Sequence, residues 1–262
     1  MTGKNLFTKY RKRLAALMMV LPVLWAGALE PLWAEDAQRS FSAALLKFQT
    51  QSLDKGQFRF SLAPCYYKDK TDEAEWYSTA VIFRAYVAHN LEFAVGTDLP
   101  SYQRPDFGVG DIYTGMTWTF YDAHLMKLAV SAHLNFPTGS PAFRNPGLQP
   151  SFALTVIKSA GAFDFGLSVG TTYAADAQGE PCYFDAETTF TVDYTPDDKN
   201  AFGIFACGYA PDQRQEGLAR LSGGASYTRT FTDRYAASVT LEKGLSGRGL
   251  DWSVTLGFDF TF

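Results

Sequence analysis

The sequence has few cysteines, and their spacing excludes several kinds of site. Cys65, Cys182 and Cys207 are an odd number at wide separation, with no C-x-x-C pair and no metal-ligand spacing. We therefore expect no metal and no cofactor. The pattern favours small buried thiols, with a Cys182–Cys207 bridge across one hairpin as the alternative.

Positive charge is also scarce once the N-terminus is set aside. Residues 1–34 hold five basic residues and one acidic residue, so the rest of the chain has 18 basic and 26 acidic residues and a net charge near −8. Phosphate binding needs clustered lysine and arginine. The composition therefore excludes nucleic acid as a partner.

The N-terminus has the pattern of a secretory signal peptide. The basic stretch KYRKR (9–13) precedes an apolar run over 14–29 that Pro22 interrupts. We predict cleavage after Ala34, with an uncleaved membrane anchor as the alternative. No later apolar run approaches 20 residues, so no helix of the mature chain should cross a membrane.

What the chain has in abundance is alternation of apolar and polar residues. The C-terminal stretch DWSVTLGFDFTF places every second residue on one face of a β-strand. One face is continuously apolar, and the other carries small or polar residues. The apolar set is Leu250, Trp252, Val254, Leu256, Phe258, Phe260 and Phe262.

Alternating stretches recur about a dozen times. They predict strands near 56–67, 76–88, 90–98, 108–122, 125–136, 148–158, 162–174, 182–195, 200–210, 217–231, 234–245 and 249–262. Short turns alternate with longer polar loops, and an even strand count with this asymmetry is typical of a transmembrane barrel. A soluble β-sandwich is the alternative, but strands of ten to fifteen residues exceed its usual length. We predict an all-β, antiparallel up-and-down barrel of about 12 strands.

Aromatic residues fall near both ends of these strands, as in the girdles of membrane barrels; ordinary strand aromatics are the alternative. The terminal Phe262 resembles the signal that the barrel-assembly machinery reads in outer-membrane proteins. The girdle candidates are Trp76, Tyr77, Tyr173, Tyr209 and Trp252 at the long-loop ends, and Trp118, Phe120, Phe163, Tyr194, Tyr235 and Phe260 at the short-turn ends.

Four stretches resemble a known family: SLDKGQFRFSL (52–62), GVGDIYTGMTWTF (108–120), LAVSAHLNFPTGSP (128–141) and GAFDFGLSVGTTYAA (161–175). The family is usually called transporters and is also described as the outer-membrane porin of the meta pathway of phenol degradation. It usually has leucine where this chain has Phe136. The resemblance implies an outer-membrane barrel that passes small molecules, and it supplies no binding residues.

Charged residues at inward positions are the candidates for lining a pore. In a water-filled lumen they would shape the field felt by an ion, and the acidic surplus predicts a preference for cations. The alternative is that these charges pair with one another and fill the interior. A barrel of twelve strands should be narrow or partly plugged. The candidates are Arg59, Arg84, Glu92, Asp111, Lys127, His133, Asp164, Asp185, Glu187, Asp193, Arg220 and Glu242, with Asp251 and Asp259 of the same parity.

The sequence gives little support for an enzyme. His89 and His124 fall in predicted turns, and nothing in the spacing of His133, Ser131 and Ser140 requires the nucleophile–base pair of a hydrolase. The stretch GVGDIYTG precedes a strand, so it is no nucleotide fingerprint. No catalytic residue is predicted.

These patterns together predict three regions: a signal peptide (1–34), a lead-in or plug segment (35–55) and an outer-membrane barrel (56–262). Residues 40–51 have helical spacing and either enter the lumen or form a flexible lead-in. We expect an exported porin-like channel in the outer membrane of a Gram-negative bacterium, passing small solutes that include hydrophobic or aromatic compounds. Its partners would be outer-membrane lipid and lipopolysaccharide, the assembly machinery and the solute. A structural, receptor or adhesin barrel with a plugged lumen is the alternative.

Overall fold

A computed structural model describes residues 53–70, 75–103, 106–174, 183–210, 220–246 and 250–262. The signal peptide, most of the lead-in and Cys182 lie outside these ranges. The strands are β1 (Phe58–Asp69), β2 (Glu75–Ala88), β3 (Leu91–Gln103), β4 (Asp106–Gly108), β5 (Ile112–Ala123), β6 (Met126–Phe136), β7 (Gln149–Ala160), β8 (Phe163–Ala174), β9 (Tyr183–Asp197), β10 (Asn200–Ala210), β11 (Arg220–Thr232), β12 (Tyr235–Gly244) and β13 (Leu250–Thr261).

The strands form one closed antiparallel sheet. Each long strand pairs with its neighbours in the chain, β3 pairs with both β2 and β5, and β1 pairs with β13. At the seam, Phe58 N–H donates to the carbonyl of Phe262 at 3.1 Å, and Phe262 N–H donates back at 2.9 Å. The prediction of twelve strands is confirmed for the long ones. The predicted strand 108–122 is in fact two pieces, because the three-residue β4 pairs back onto β3 before β5 begins.

Five two-residue turns connect β2–β3, β5–β6, β7–β8, β9–β10 and β11–β12. His89 and Asn90 have φ of 47° and 60°, and His124 and Leu125 have φ of 54° and 63°. Positive φ at both central positions is the geometry that matches the twist of a hairpin. The two turn histidines therefore occupy connections at the short-turn end of the barrel, as predicted.

The outer face of the barrel is apolar. Among its side chains, Met116, Trp118 and Ile204 are 52%, 50% and 61% exposed, and the outward positions of most other strands are similar. A soluble sandwich would bury such a face against a second sheet, so the sandwich alternative is wrong. The closed ring also pairs the backbone groups of every long strand, which hydrocarbon requires. Within the described ranges, no helix is long and apolar enough to cross a membrane.

Aromatic side chains cluster at both ends of the outer face. At the long-loop end Tyr66 lies 4.9 Å from Tyr77 and 4.8 Å from Trp252, measured between ring centroids. At the short-turn end Phe163 stacks on Tyr194 at 4.8 Å. Two girdle predictions are wrong. The register places Trp76 opposite the buried Tyr67 and Tyr209 opposite Glu187, so both point inward.

Inward glycines are covered by the residue that faces them on the neighbouring strand. Added Cβ atoms at Gly96 and Gly115 would lie 2.0 Å from the hydroxyl of Tyr113 and 1.9 Å from Nδ1 of His133. The same relation joins Gly224 to Phe205. Large inward side chains therefore lie flat along the barrel wall, in space that a missing Cβ provides.

Candidate functional site: the barrel lumen

The inward-facing side chains of β1–β8 form what we call the filled sector. Ile82 is fully buried, and it packs with Ala63, Ala80 and Tyr113 in an apolar cluster inside the barrel. This sector contributes most of the buried residues of the lumen: Ser61, Ala63, Cys65, Tyr67, Ala80, Ile82, Arg84, Glu92, Tyr113, Ala129, Ser131, His133, Gln149, Thr155, Ile157 and Ser168.

Two of the predicted pore-lining charges form a buried ion pair in the filled sector. The guanidinium of Arg84 contacts the carboxylate of Glu92, and their side chains are only 7% and 10% exposed. The backbone N–H of Leu53 donates to the other carboxylate oxygen of Glu92 at 2.7 Å, and Leu53 is itself buried. Leu53, five residues before β1, therefore lies inside the barrel. Arg59 lies nearby on β1 and donates to the hydroxyl of Thr261.

The opposite wall, which we call the open sector, consists of the inward residues of β10, β11 and β12 with Thr255, Gly257, Asp259 and Thr261 of β13. Every non-glycine inward side chain of β10–β12 that the structure describes is partly accessible. The central row joins Ser226, Thr240 and Thr255 across three strands in register. This wall carries Arg220 and Glu242 near its long-loop end, and Glu242 accepts hydrogen bonds from the hydroxyls of Ser222 and Ser253.

Each border of the open sector has a cysteine beside a threonine. The hydroxyl of Thr189 donates to the sulfur of Cys207 at 3.3 Å, and that of Thr255 donates to the sulfur of Cys65 at 3.2 Å. Cys65 and Cys207 are both free thiols, and the alternative of a Cys182–Cys207 bridge involves Cys182, which lies outside the described residues. Cys65 is buried and Cys207 is partly accessible.

Asp111, another pore-lining candidate, holds the loop that follows β6. It lies just before β5, and its carboxylate accepts the N–H of Gly139 at 2.7 Å and both the N–H and the side-chain amide of Asn145 at 2.8 Å. Ile112 N–H donates to the hydroxyl of Thr138, and Ser140 N–H donates to the carbonyl of Val109. The stretches GVGD (108–111) and FPTG (136–139), which carried the family resemblance, therefore bind each other.

Four acidic candidates lie on β8 and β9. Asp164 and Asp193 face one another directly in the register, toward the short-turn end. Asp185 is 3% exposed opposite Thr172, and Glu187 accepts the hydroxyl of Thr189. Asp164 lies at the edge of the filled sector, and the other three carboxylates lie on β9 between the two sectors, so the structure does not gather the predicted acids into one ring.

Lys127 and His133 differ in their surroundings. Lys127 forms a 3.5 Å ion pair with Asp122 at the exposed β5–β6 hairpin end. His133 is buried against Gly115, and among the described residues neither of its ring nitrogens has a hydrogen-bond partner. The hydroxyl of Ser131 instead bonds that of Thr117 at 3.0 Å. His133 therefore does not activate Ser131 or Ser140 as a hydrolase base would.

The prediction from sequence concentrated on charges and missed the neutral wall. Ser226, Thr228, Ser238, Thr240 and Phe205 line the open sector without any charge. A signal was present, because the inward positions of β11–β13 are dominated by glycine, serine and threonine. Within the described ranges, no group of three or more histidine, cysteine or acidic side chains is placed to hold a metal ion.

A closed antiparallel barrel with an apolar exterior, aromatic girdles and a polar interior is a β-barrel of the outer-membrane type. The chain belongs to the family described as "Putative MetA-pathway of phenol degradation", whose model matches residues 49–262. This agrees with the resemblance found in the sequence.

Solved structures share the fold at low sequence identity. The COG4313 outer membrane channel from Pseudomonas putida F1 is 14% identical with a TM-score of 0.66, covering 81% of this chain and 97% of that one. The KdgM porin is 9% identical with a TM-score of 0.55, covering 77% and 99%. The CymD monoaromatic hydrocarbon channel is 8% identical with a TM-score of 0.50, covering 90% and 94%. A comparison with curated proteins finds no match.

Proposed function

We propose that this protein is an outer-membrane channel for the passive passage of small solutes, hydrophobic or aromatic compounds included. The observation that carries the proposal is the open sector, a partly accessible wall inside a closed barrel whose exterior suits lipid. The family description and the similarity to channels, one of them for monoaromatic hydrocarbons, support the same class of solute. No catalytic role is part of the proposal.

Passage would depend on field and size at the inward residues. The charges retained as pore-lining candidates are those beside or within the open sector: Asp164, Asp185, Glu187, Asp193, Arg220 and Glu242. Their acidic excess supports a preference for cations among ions that enter. Arg59, Arg84, Glu92, Asp111, Lys127 and His133 would instead fill the interior or hold the loops.

The test is single-channel recording of the mature protein, purified from outer membranes, in a planar bilayer under a salt gradient. Discrete conductance steps with a reversal potential that favours cations are expected. Heat-denatured protein in the same detergent is the control for bilayer leakage. A folded barrel that stays silent would sink the channel proposal.

A second candidate function, a plugged structural or receptor barrel, is favoured by the contact between Leu53 and Glu92. That contact holds Leu53, the first described residue, inside the barrel at the short-turn side, and in this alternative the preceding part of the lead-in (35–55) would act as a plug. Removing residues 35–52 from the mature chain separates the two ideas. Conductance that exists only after the deletion favours the plug, whereas equal conductance before and after the deletion favours an open channel.

We propose that the chain is exported with cleavage of residues 1–34 and inserted by the barrel-assembly machinery among outer-membrane lipid and lipopolysaccharide. The side chain of Phe262 is 69% exposed on the lipid face, while its backbone closes the seam with Phe58. Replacing Phe262 with alanine keeps those backbone bonds. The variant should therefore reach a lower level in the outer membrane, while the barrels that do assemble should unfold at nearly the same denaturant concentration as the wild type. Outer-membrane levels equal to wild type would contradict a role in recognition.

A further inference from the structure

We infer that solute crosses this barrel along the open sector, over a wall whose middle is made of uncharged hydroxyl-bearing side chains and which takes small uncharged solutes bearing hydroxyl groups. The inference rests on the proposed channel function and deepens it. Its starting point is the unequal burial of the two halves of the lumen, since solute can pass only where inward side chains leave accessible space.

The centre of the filled sector offers little such space, although inward residues such as Thr117, Ala153 and Thr172 are partly accessible. Tyr113 reaches across Gly96 to the apolar cluster with Ala80 and Ile82, and the Arg84–Glu92 pair closes the short-turn end of this side. Buried charges that are paired and hydrogen-bonded act as packing elements, because separating them leaves each charge buried without its partner. Solute would have to break these contacts to pass here.

The open sector is lined by small side chains. Between its ends it presents the hydroxyls of Ser226, Thr228, Ser238, Thr240 and Thr255, with Gly224 and Gly257 between them. Its charges lie toward the ends, with Arg220 and Glu242 near the long loops and Asp259 near the short turns. Between these ends the wall itself offers an ion only hydroxyl dipoles. The charge that borders it is the carboxylate of Asp193, which covers Gly203 at the edge with β9.

Phe205 adds an aromatic surface to this wall. A Cβ added at Gly224 would lie 2.3 Å from Cζ of Phe205, so the ring lies flat against the wall over that glycine. Aromatic rings stack favourably in offset arrangements, and hydroxyl groups can both donate and accept hydrogen bonds. A flat solute with a hydroxyl group matches both features, whereas a charged solute gains little from either.

Two serines provide a matched test of the path. Ser226 is inward and partly accessible on β11, and Ser131 is inward and 1% exposed on β6. Each becomes cysteine in a background where Cys65, Cys182 and Cys207 are serine. The folded, purified barrels are then treated with an uncharged methanethiosulfonate carrying a short polyether chain, and labelling is measured by mass. Because labelling follows folding, loss of function cannot come from misassembly.

The Ser226→Cys barrel should be labelled, and its conductance and its swelling rate in liposomes with small uncharged polyols should each fall about twofold or more, because a bulky group narrows a small lumen. The Ser131→Cys barrel should stay unlabelled or keep its flux. Before labelling, uncharged polyols should enter faster than sugar acids of the same size.

The outcomes separate the path from the channel itself. Unlabelled barrels that pass no solute overturn the channel proposal and the path with it. Barrels that conduct overturn the path alone if Ser226→Cys resists labelling, if its labelling leaves flux unchanged, or if Ser131→Cys blocks equally well. Faster entry of the charged sugar acids overturns the neutral solute class.

Discussion

The filled and open sectors are built from strands of similar length and register, and they differ only in their inward side chains. The filled sector carries large residues such as Ile82, Arg84, Tyr113 and His133, and the open sector carries mostly glycine, serine and threonine. Strand number fixes the circumference of a barrel. Side-chain volume at inward positions therefore decides how much of that circumference becomes a path.

Two glycines, one in each sector, differ in what covers them. In the filled sector Gly96 is covered by the rigid ring of Tyr113, with the carbonyl of Val81 also close. In the open sector Gly257 is covered only by the short side chain of Ser238. The first arrangement is a packed contact that resembles a protein core, and the second leaves a side chain that can rotate away.

The largest effect is expected at the buried ion pair. Replacing Arg84 with methionine leaves the Glu92 carboxylate buried without its partner, which typically costs about 3–5 kcal/mol. Urea unfolding in detergent micelles, followed by tryptophan fluorescence, measures the free energy of unfolding. Adding Glu92→Leu to this variant should recover part of the loss, since it removes the stranded charge.

The control for Arg84 is the ion pair between Lys243 and Asp251 near the long-loop end. The Lys243 side chain is 58% exposed, and exposed pairs contribute about 0–1 kcal/mol. Lys243→Met should therefore be almost neutral. If both variants lose the same small amount, the filled sector is not a packed core and the contrast between sectors fails.

A smaller effect is expected from adding a methyl group to matched glycines. Gly96→Ala places Cβ 2.0 Å from the Tyr113 hydroxyl and 2.7 Å from a backbone carbonyl, so it should cost about 1–3 kcal/mol through overpacking. Gly257→Ala meets only the Ser238 hydroxyl at 2.3 Å, so a rotation should hold its cost below about 1 kcal/mol. The same urea titration measures both, and a Gly257→Ala loss as large as that of Gly96→Ala would contradict the distinction.

Much of this fold could be predicted from local sequence, because a period of two assigns every residue of a strand to one face. That rule predicted the strand count, the lipid face and the inward position of most candidates. The same alternation also restricts which aromatic residues can belong to a girdle on the lipid face. Trp76 and Tyr77 are adjacent, so only one of them can face lipid, and assigning both was wrong.

The division of the lumen could not be predicted in the same way. Whether an inward side chain is buried depends on what meets it from other strands, as when Tyr113 crosses Gly96 to reach Ala80 and Ile82. Asp111 illustrates a second limit. It precedes β5 in a break of the strand, where parity no longer assigns a face, and its partners Gly139 and Asn145 lie in a later loop.

The smallest expected effect concerns ion preference, and it compares two carboxylates that differ in access to the path. Glu242 lies in the open sector, where Ser222 and Ser253 hold its side chain, and Asp185 is 3% exposed on β9. Glu242→Gln keeps the shape and the hydrogen-bonding oxygen while it removes the charge beside the path.

The reversal potential of the Glu242→Gln channel under a salt gradient should therefore move toward zero by a few millivolts, because a charge acts most strongly on ions that pass within about 8 Å at physiological salt. Asp185→Asn should leave the reversal potential closer to that of the wild type. A larger shift for Asp185→Asn would place the ion path beside β9 and away from the neutral hydroxyl wall, since the charge that ions sense would then be the buried one.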